Sequence, residues 1–208
     1  MATPAYLAML NNLVKQQNIS PDTVRGSFKF DPFTFIARHG KRPSSYEQIT
    51  SMGAQMVVFS SNQLPRIRPL AVNLHPYHYA GGSVVQELGI ALAIGQSYLA
   101  RLSDRGAEPI DIARHLYFAL PIGNSYFLEI AKLRALRLLW SRIAEAYLHE
   151  EQQIPPPVIH ADTSRWSHSI YDAHTNMVRN TSQAMAAVIG GCDSLSVTPH
   201  DSLYENPA

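Results

Sequence analysis

The chain has 208 residues, of which 46% are hydrophobic and 16% are charged, and its formal net charge is +1. This composition is ordinary for a globular protein and excludes general disorder. The near-zero charge offers neither a basic surface for nucleic acid nor an acidic tail, so we expect no nucleic-acid partner. The length is enough to bury a core in one domain, or to form part of a larger one.

The use of cysteine and the lack of long apolar runs predict a cytoplasmic protein. Cys192 is the only cysteine, so an internal disulfide is excluded and a reducing compartment is favoured. We interpret it as a small buried residue rather than a nucleophile. The apolar run in residues 1–14 lacks a basic leader and is too short for a signal peptide or a membrane helix. No later stretch reaches the roughly 18 uninterrupted apolar residues of a membrane span, so no membrane partner is expected.

Five β-rich runs alternate with five longer segments of helical period. The runs are Val24–Phe30, Ile67–Leu74, His115–Leu120, Pro157–Asp162 and Ser194–Thr198. The helical segments cover residues 5–17, 45–62, 83–103, 124–149 and 174–189. Such alternation predicts parallel strands joined by helices, either as a barrel of strand–helix units or as a doubly wound sheet. No G-x-G-x-x-G follows the first strand, so a classical dinucleotide site is not expected.

The third helical segment is amphipathic and has a recognisable start. Its apolar stripe is predicted to contain Val85, Leu88, Leu92, Leu99 and Leu102. Ser83 is the predicted N-cap. We interpret the preceding Gly81-Gly82 as a flexible strand-to-helix turn, with phosphate binding at the helix N-terminus as the alternative.

The fourth helical segment is the longest and the most basic. Lys132, Arg134, Arg137 and Arg142 lie between apolar residues that include Phe127, Ile130, Leu133, Leu138 and Trp140. We interpret the cationic residues as a solvated face, with binding to a membrane surface or a partner as the alternative.

Polar residues collect at the C-terminal ends of the predicted strands. They are His75, His78, His160, Asp162, His200 and Asp201. Because parallel strands end on one face, these residues admit a metal site, and with it a metal-dependent lyase or hydrolase. However, no H-E-x-x-H or G-x-S-x-G motif is present, and histidine often ends strands for ordinary hydrogen bonding. We therefore assign no catalytic, cofactor-binding or metal-binding residue, and we interpret Ser167 and His168 as loop residues.

Four segments resemble the methylmalonyl-CoA mutases, in order and with similar spacing. The longest runs from Ile122 to Trp140 and reads IGNSYFLEIAKLRALRLLW. The others are YAGGS at 79–83, TSRWS at 163–167, and NMVRNTSQAMAA at 176–187, which leads to Gly190-Gly191 and to DSL at 193–195. The resemblance extends from about Val24 to Glu205.

The resemblance implies a (β/α)₈ barrel that encloses a CoA ester, followed by a separate cobalamin-binding domain. Residues 1–208 would be a partial barrel domain that supplies the last five strands, and since no helical pattern follows the fifth strand we interpret the chain as a fragment. The D-x-H-x-x-G signature of the cobalamin domain is absent. We therefore expect no cofactor on this chain, and adenosylcobalamin on a catalytic subunit.

Departures from the catalytic members fall at four places. A Tyr-His pair that contacts the substrate in those members falls here on His75 and Pro76, and proline has no N–H to donate. Two substrate-contacting glutamines fall on Lys29 and Tyr171, and an arginine falls on His115. Together these changes indicate a site that is no longer used.

The stretch from Asn73 to Tyr77 resembles the small subunits of two-chain mutases. This predicts a non-catalytic structural subunit of the heterodimeric isomerase that interconverts methylmalonyl-CoA and succinyl-CoA, inactive alone and partnered by a large catalytic subunit. The alternatives are a divergent catalytic acyl-CoA mutase chain and the metal-dependent lyase or hydrolase.

The incomplete barrel also predicts a core and an exposed strand edge. The expected barrel core contains Val72, Leu74, Leu116, Phe118, Val158 and Ile159. An exposed edge tends to pair with another chain, so we expect self-association, as two half-barrels.

Overall fold

The computed structural model describes residues 2–148, 153 and 155–204. In these residues the strands are β1 (Gly26–Phe30), β2 (Ile67–Asn73), β3 (Leu116–Ile122), β4 (Val158–Thr163) and β5 (Ser194–Ser196). The long helices are α1 (Thr3–Gln16), α3 (Tyr46–Gln63), α5 (Val84–Ser103), α7 (Tyr126–Glu145) and α8 (Ala173–Gly190). Short helices are α2 (Pro32–His39), α4 (His75–Tyr79) and α6 (Pro109–Arg114), and a 3₁₀ turn covers Pro21–Thr23.

The sheet has the topology of a barrel wall. Its strand order is β1-β2-β3-β4-β5, and every neighbouring pair is parallel. A doubly wound sheet reverses its strand order at a switch point, whereas a barrel adds strands in chain order. The strands and helices form a curled half-barrel. The predicted fold, parallel strand–helix units of an incomplete (β/α) barrel, is confirmed, and the doubly wound alternative is wrong.

All the long helices pack on the outer face of the sheet. They pack in chain order, α1 against α3, α3 against α5, α5 against α7, and α7 against α8. Beneath them lies the main hydrophobic core, to which the strands contribute Leu70, Val72, Leu74, Leu116, Phe118, Leu120, Ile122, Ile159 and Ala161. No helix in the described part of the chain is both long enough and apolar enough to cross a membrane.

The inner face of the sheet carries a second, smaller set of side chains. Ala71, Tyr117 and Ala119 are buried there and Val158 packs against them. Val158 was predicted in the same core as Ile159, and that prediction is wrong. Adjacent residues of a strand point to opposite faces, so Ile159 lies under the helices and Val158 lies inside the curl.

The helix α5 begins as predicted and buries most of the predicted stripe. The Ser83 side chain accepts a hydrogen bond from Gln86 N in a capping box, which confirms the predicted cap. The preceding turn contains Gly81 with φ of +89°, a conformation that glycine adopts readily. Val85 is 77% exposed, contrary to the prediction. Leu99 and Leu102 are buried and Leu88 and Leu92 pack against the core, as predicted. The buried stripe also contains Glu87, Ala91, Ile94 and Tyr98, so a carboxylate occupies its first position.

The three short helices were not predicted, and α4 matters most for the site. Each has proline at its first or second position, where the missing N–H costs nothing. Because α4 starts immediately after β2, His75 and His78 lie on a helix at the end of the strand. The fourth predicted segment was also too long at its start, and its predicted last residue, 149, lies outside the described residues.

Candidate functional site

Five polar side chains form a hydrogen-bonded chain across the inner face, near the C-terminal ends of the strands. His75 Nδ1 lies 2.6 Å from Asn73 Oδ1, and His75 Nε2 lies 3.1 Å from Asp162 Oδ2. His160 Nε2 lies 3.4 Å from Asp162 Oδ1, and His160 Nδ1 lies 2.7 Å from Ser194 Oγ. This inner-face chain therefore connects β2, β4 and β5, with Asp162 at its centre.

The local sequence explains why these residues meet. His160 and Asp162 are two apart on β4, so both point to the inner face, as predicted. His75 reaches them because α4 turns the backbone over the end of β2. The structure thus brings together three of the six polar residues that were predicted at the strand ends.

The charge of Asp162 is stabilised by its neighbours. Burial opposes ionisation of the carboxyl, but the hydrogen bonds from His160 and His75 outweigh burial and hold the pKa of Asp162 well below its ordinary value. Both ring nitrogens of His75 are engaged within the protein, one by Asn73 Oδ1 and the other by Asp162 Oδ2. A histidine binds a metal through a ring nitrogen that is not already engaged, and both ring nitrogens of His75 are engaged in this arrangement.

No group of three or more His, Cys, Asp or Glu side chains within the described ranges is arranged to hold a metal ion. In this arrangement the inner-face chain joins the ends of β2, β4 and β5.

A second polar network, the buried ion cluster, lies between α4, α5 and α7. It consists of His78, Glu87, Glu129 and Lys132. Lys132 Nζ lies 2.7 Å from Glu87 Oε2 and 2.6 Å from Glu129 Oε2, and it also donates to Pro121 O at 2.8 Å. His78 Nδ1 lies 2.6 Å from Glu87 Oε1.

The cluster corrects the interpretation of the basic helix. Lys132 has an exposed fraction of 0%, so it is not part of a solvated face, whereas Arg134 and Arg142 are exposed as predicted. Arg137 is partly buried and donates to Pro157 O at 2.9 Å. Three carbonyl or carboxylate oxygens around Lys132 replace its water shell, which is why the burial is tolerated. Glu129 and Lys132 are separated by three positions on one helix, which places them on the same face. This spacing was the only signal of the pairing in the sequence.

The ion cluster forms one wall of a cavity of about 430 Å³ at the C-terminal ends of the strands. Other lining residues are Ser164, Trp166 and the first residues of α5 and α7. The second ring nitrogen of His78 lies 2.6 Å from Ser164 Oγ, so both nitrogens of this histidine are used inside the protein. Burial acts to raise the pKa of Glu87, but His78 and Lys132 together lower it below its ordinary value.

The remaining predicted residues lie elsewhere. His200 follows β5 in a loop near α8, where its carbonyl accepts from Asn176 Nδ2 at 2.9 Å, and Asp201 comes directly after it. The ring of His200 lies beside that of His174 on α8, with centroids 6.1 Å apart, so the prediction that His200 shares a rim cluster with His160 is wrong. The reason is that β5 ends at Ser196 and the backbone then turns outward toward α8.

Two further predictions concern the pair Ser167 and His168 and the cysteine Cys192. Ser167 and His168 lie in the loop after β4, as predicted, and His168 Nε2 lies 2.8 Å from Asn180 Oδ1. Cys192 is partly buried against the main core rather than fully buried, and burial raises the pKa of its thiol.

The four departures from the catalytic pattern do not form one site. Lys29 is exposed on β1, and Tyr171 is exposed in the loop between β4 and α8. His115 is buried at the start of β3, where its Nδ1 lies 2.7 Å from Ile67 O and burial lowers its pKa. Pro76 lies in α4 beside the inner-face chain.

Comparison with known proteins decides the family. The family model described as "Methylmalonyl-CoA mutase" matches residues 1–208. The chain belongs to the methylmalonyl-CoA mutase family. It is 36% identical over 200 residues to the methylmalonyl-CoA mutase small subunit of Porphyromonas gingivalis, an alignment that covers 96% of this chain and 32% of the relative.

Other members of the mutase family match over the same region. The small subunit of Streptomyces virginiae is 33% identical, with 92% of this chain and 30% of the relative covered. The methylmalonyl-CoA mutase of Rhizobium meliloti is 30% identical, with 93% and 27% covered. The chain thus spans about a third of the length of the curated relatives it matches. The predicted resemblance to the small subunits of methylmalonyl-CoA mutases is confirmed, and the comparisons give no support to a metal-dependent lyase or hydrolase.

Proposed function

We propose that this chain is a non-catalytic structural part of an adenosylcobalamin-dependent methylmalonyl-CoA mutase, the isomerase that interconverts methylmalonyl-CoA and succinyl-CoA. The observation that carries the proposal is the hydrogen bonding of His75 and Pro76. These two residues occupy the positions where catalytic members have a substrate-contacting Tyr-His pair. Neither residue has a hydrogen-bond donor to spare for a substrate.

The contacts around this position support the proposal in detail. Pro76 has no N–H, and its carbonyl accepts from Ala80 N at 3.1 Å. Both ring nitrogens of His75 are bonded to Asn73 and Asp162, and both of His78 to Glu87 and Ser164. A substrate carbonyl placed here would meet groups that are already satisfied by the protein, and recruiting one would cost an existing hydrogen bond.

The same contacts bear on the cofactor. The ring nitrogens of His75, His78 and His160, at the C-terminal ends of the strands, are all engaged within the protein, so none of these histidines is free to hold a cobalamin through its imidazole. This supports a cobalamin site elsewhere than on these histidines, and we derive no step through the cofactor. We propose that adenosylcobalamin binds to the catalytic subunit and to a cobalamin-binding domain outside residues 1–208, which form a partial barrel domain.

The proposed partner is the large catalytic subunit. Large subunits of Streptomyces virginiae and Porphyromonas gingivalis also match this chain, at 28% and 30% identity, below the 33% and 36% of the small subunits of the same organisms. Two homologous chains commonly pair about an approximate two-fold axis. A cytoplasmic location stays a prediction that rests on the single cysteine.

Mutase assays test this function. With adenosylcobalamin and methylmalonyl-CoA, we expect no succinyl-CoA from the chain alone and turnover from its complex with the large subunit. In that complex, Lys29→Ala and Tyr171→Ala should change kcat and KM by less than about twofold, since neither side chain would contact the substrate. Both side chains are exposed, so the variants should fold. Turnover by the chain alone, or a large loss of kcat in either variant, would support the divergent catalytic chain instead.

A further inference from the structure

Two serines of β5 lie directly opposite the two polar residues of β4. In the parallel register, Ser194 is the partner of His160 and Ser196 is the partner of Asp162. The Oγ of Ser194 lies 2.7 Å from His160 Nδ1, and His160 Nε2 lies 3.4 Å from Asp162 Oδ1. A hydroxyl, an imidazole and a carboxylate are therefore connected in the order that a nucleophilic serine requires.

The carboxylate determines which nitrogen of His160 is basic. Asp162 is ionised, since its pKa is held well below the ordinary value, and an ionised carboxylate only accepts hydrogen bonds. A neutral His160 bonded to it therefore carries its proton on Nε2, which leaves the lone pair of the ring on Nδ1. Nδ1 is the nitrogen that faces the hydroxyl of Ser194, so the ring has the tautomer that is needed to take up the serine proton.

The three groups are held in position before any substrate binds. The second oxygen of Asp162, Oδ2, lies 3.1 Å from His75 Nε2, and this contact keeps the carboxylate from rotating away from His160. Ser194, His160 and Asp162 all stand on paired strands. Strands hold reacting groups more firmly than loops do.

We propose that Ser194 accepts acyl groups from activated esters and thioesters, with His160 as the general base and Asp162 holding the imidazole in place. No local motif in the sequence reveals this arrangement, because Ser194 and His160 are 34 residues apart in the chain. The reaction differs from the mutase isomerisation, and the proposal does not depend on whether the chain has the structural role proposed above.

The surroundings of Ser194 limit the acyl donors to those with a good leaving group. Serine enzymes stabilise the oxyanion with preorganised hydrogen-bond donors, and removing one such donor lowers kcat by about 10²–10³-fold. On the inner face Ser196 offers one hydroxyl, since it lies two positions after Ser194 and its Oγ is 3.4 Å from His160 Nε2. With this single hydroxyl we expect reaction with aryl esters and thioesters, and none with amides.

The reaction is an acyl transfer that needs neither a metal ion nor a change of oxidation state. The oxygen of Ser194 attacks the carbonyl carbon of the donor while its proton passes to His160 Nδ1. The bond from that carbon to the leaving oxygen or sulfur then breaks, and the leaving group takes the proton from Nδ1. Water attacks the acyl-serine in the second half, again with Nδ1 as the base, and releases a carboxylic acid and the free serine.

Labelling of the full chain with a fluorophosphonate probe, followed by intact-mass and peptide mass spectrometry, tests whether Ser194 is nucleophilic. We expect a single adduct, located on Ser194, and no adduct in Ser194→Ala. This variant loses only one oxygen atom, and circular dichroism checks that it is folded. The matched control is Ser125→Ala, which changes an exposed serine whose side chain caps no helix, and it should be labelled like the unchanged chain.

Release of p-nitrophenolate from p-nitrophenyl acetate measures the acylation itself. We expect a burst of about one phenolate per chain and then slower turnover, because the acyl-serine must be hydrolysed before the next round. The burst rate should fall by at least about a hundredfold in His160→Gln and by about tenfold or more in Asp162→Asn. A probe adduct elsewhere than on Ser194, no burst, or a burst that Ser194→Ala leaves unchanged would each overturn the proposal.

Discussion

Replacing Lys132 by methionine should lower the free energy of unfolding by about 3–5 kcal/mol, which is a large part of the stability of an ordinary domain. Methionine retains most of the volume of the lysine side chain, so little packing is lost. What remains is a pair of carboxylates, Glu87 and Glu129, both buried and no longer neutralised. Urea denaturation followed by circular dichroism measures the effect.

The pH dependence of this loss identifies its cause. In the native protein the pKa of Glu87 is below its ordinary value, so its ionised form adds stability that is present above the unfolded pKa of about 4.3 and is lost as pH falls through the folded pKa. Without Lys132, only His78 opposes the effect of burial, so the folded pKa of Glu87 rises. The cost of the substitution should therefore shrink as the pH is lowered and Glu87 takes up a proton.

Two controls separate charge from packing. Arg142→Met lies on the same helix and removes an exposed ion pair with Glu145, so it should cost no more than about 0.5 kcal/mol. A triple variant, Lys132→Met with Glu87→Gln and Glu129→Gln, removes all the buried charge of the three and should recover at least about half of the loss. A Lys132→Met cost that is small, or that does not change with pH, would mean that the ion cluster is not held together by its charges.

Changing Gly95 to alanine should destabilise the protein by about 1–3 kcal/mol, although alanine is the better helix former. A Cβ at Gly95 would lie 2.5 Å from Cζ3 of Trp140, far inside van der Waals contact. Trp140 is fully buried and packs edge-on against Phe118, with ring centroids 5.1 Å apart. The indole is held on both sides, so α5 and α7 must separate to admit the methyl group. Thermal unfolding of the variant measures the loss.

The same substitution at Gly89 is the matched control. Gly89 is also in α5, and a Cβ there would meet nothing within 4 Å. Gly89→Ala should therefore stabilise the protein by about 0.5–1 kcal/mol, through helix propensity alone. If both variants shift the unfolding temperature in the same direction, the close contact between α5 and Trp140 is not what positions these helices.

Much of the fold was predictable because the spacing of apolar residues and the order of strands and helices can be read directly from the sequence. The five strands and the five long helices follow from apolar runs separated by segments of helical spacing, and the parallel arrangement follows from their alternation. The short helices were missed because each is only a turn or two long and has proline at its first or second position, which reads as a break. Val158 was placed in the wrong core because an apolar strand end does not reveal which face it occupies until the register is known.

The candidate site was predictable only where one strand determined it. His160 and Asp162 share a face by the period of two, and the sequence was enough to pair them. Their contact with His75 depends on a turn of α4, and the separation of His200 depends on where β5 ends. The burial of Lys132 depends on Glu87, which is 45 residues away in the chain, and no local pattern reports such a contact.

Titration calorimetry of this chain with methylmalonyl-CoA, in the presence and absence of adenosylcobalamin, shows whether the position of His75 and Pro76 still serves a substrate. We expect no saturable heat in either titration, because His75 and His78 are fully bonded within the protein and Pro76 offers no donor. Saturable binding of the CoA ester that strengthens when the cofactor is added would refute the proposed structural role. It would mean that the substrate site is still in use and that another group donates the hydrogen bond that Pro76 cannot.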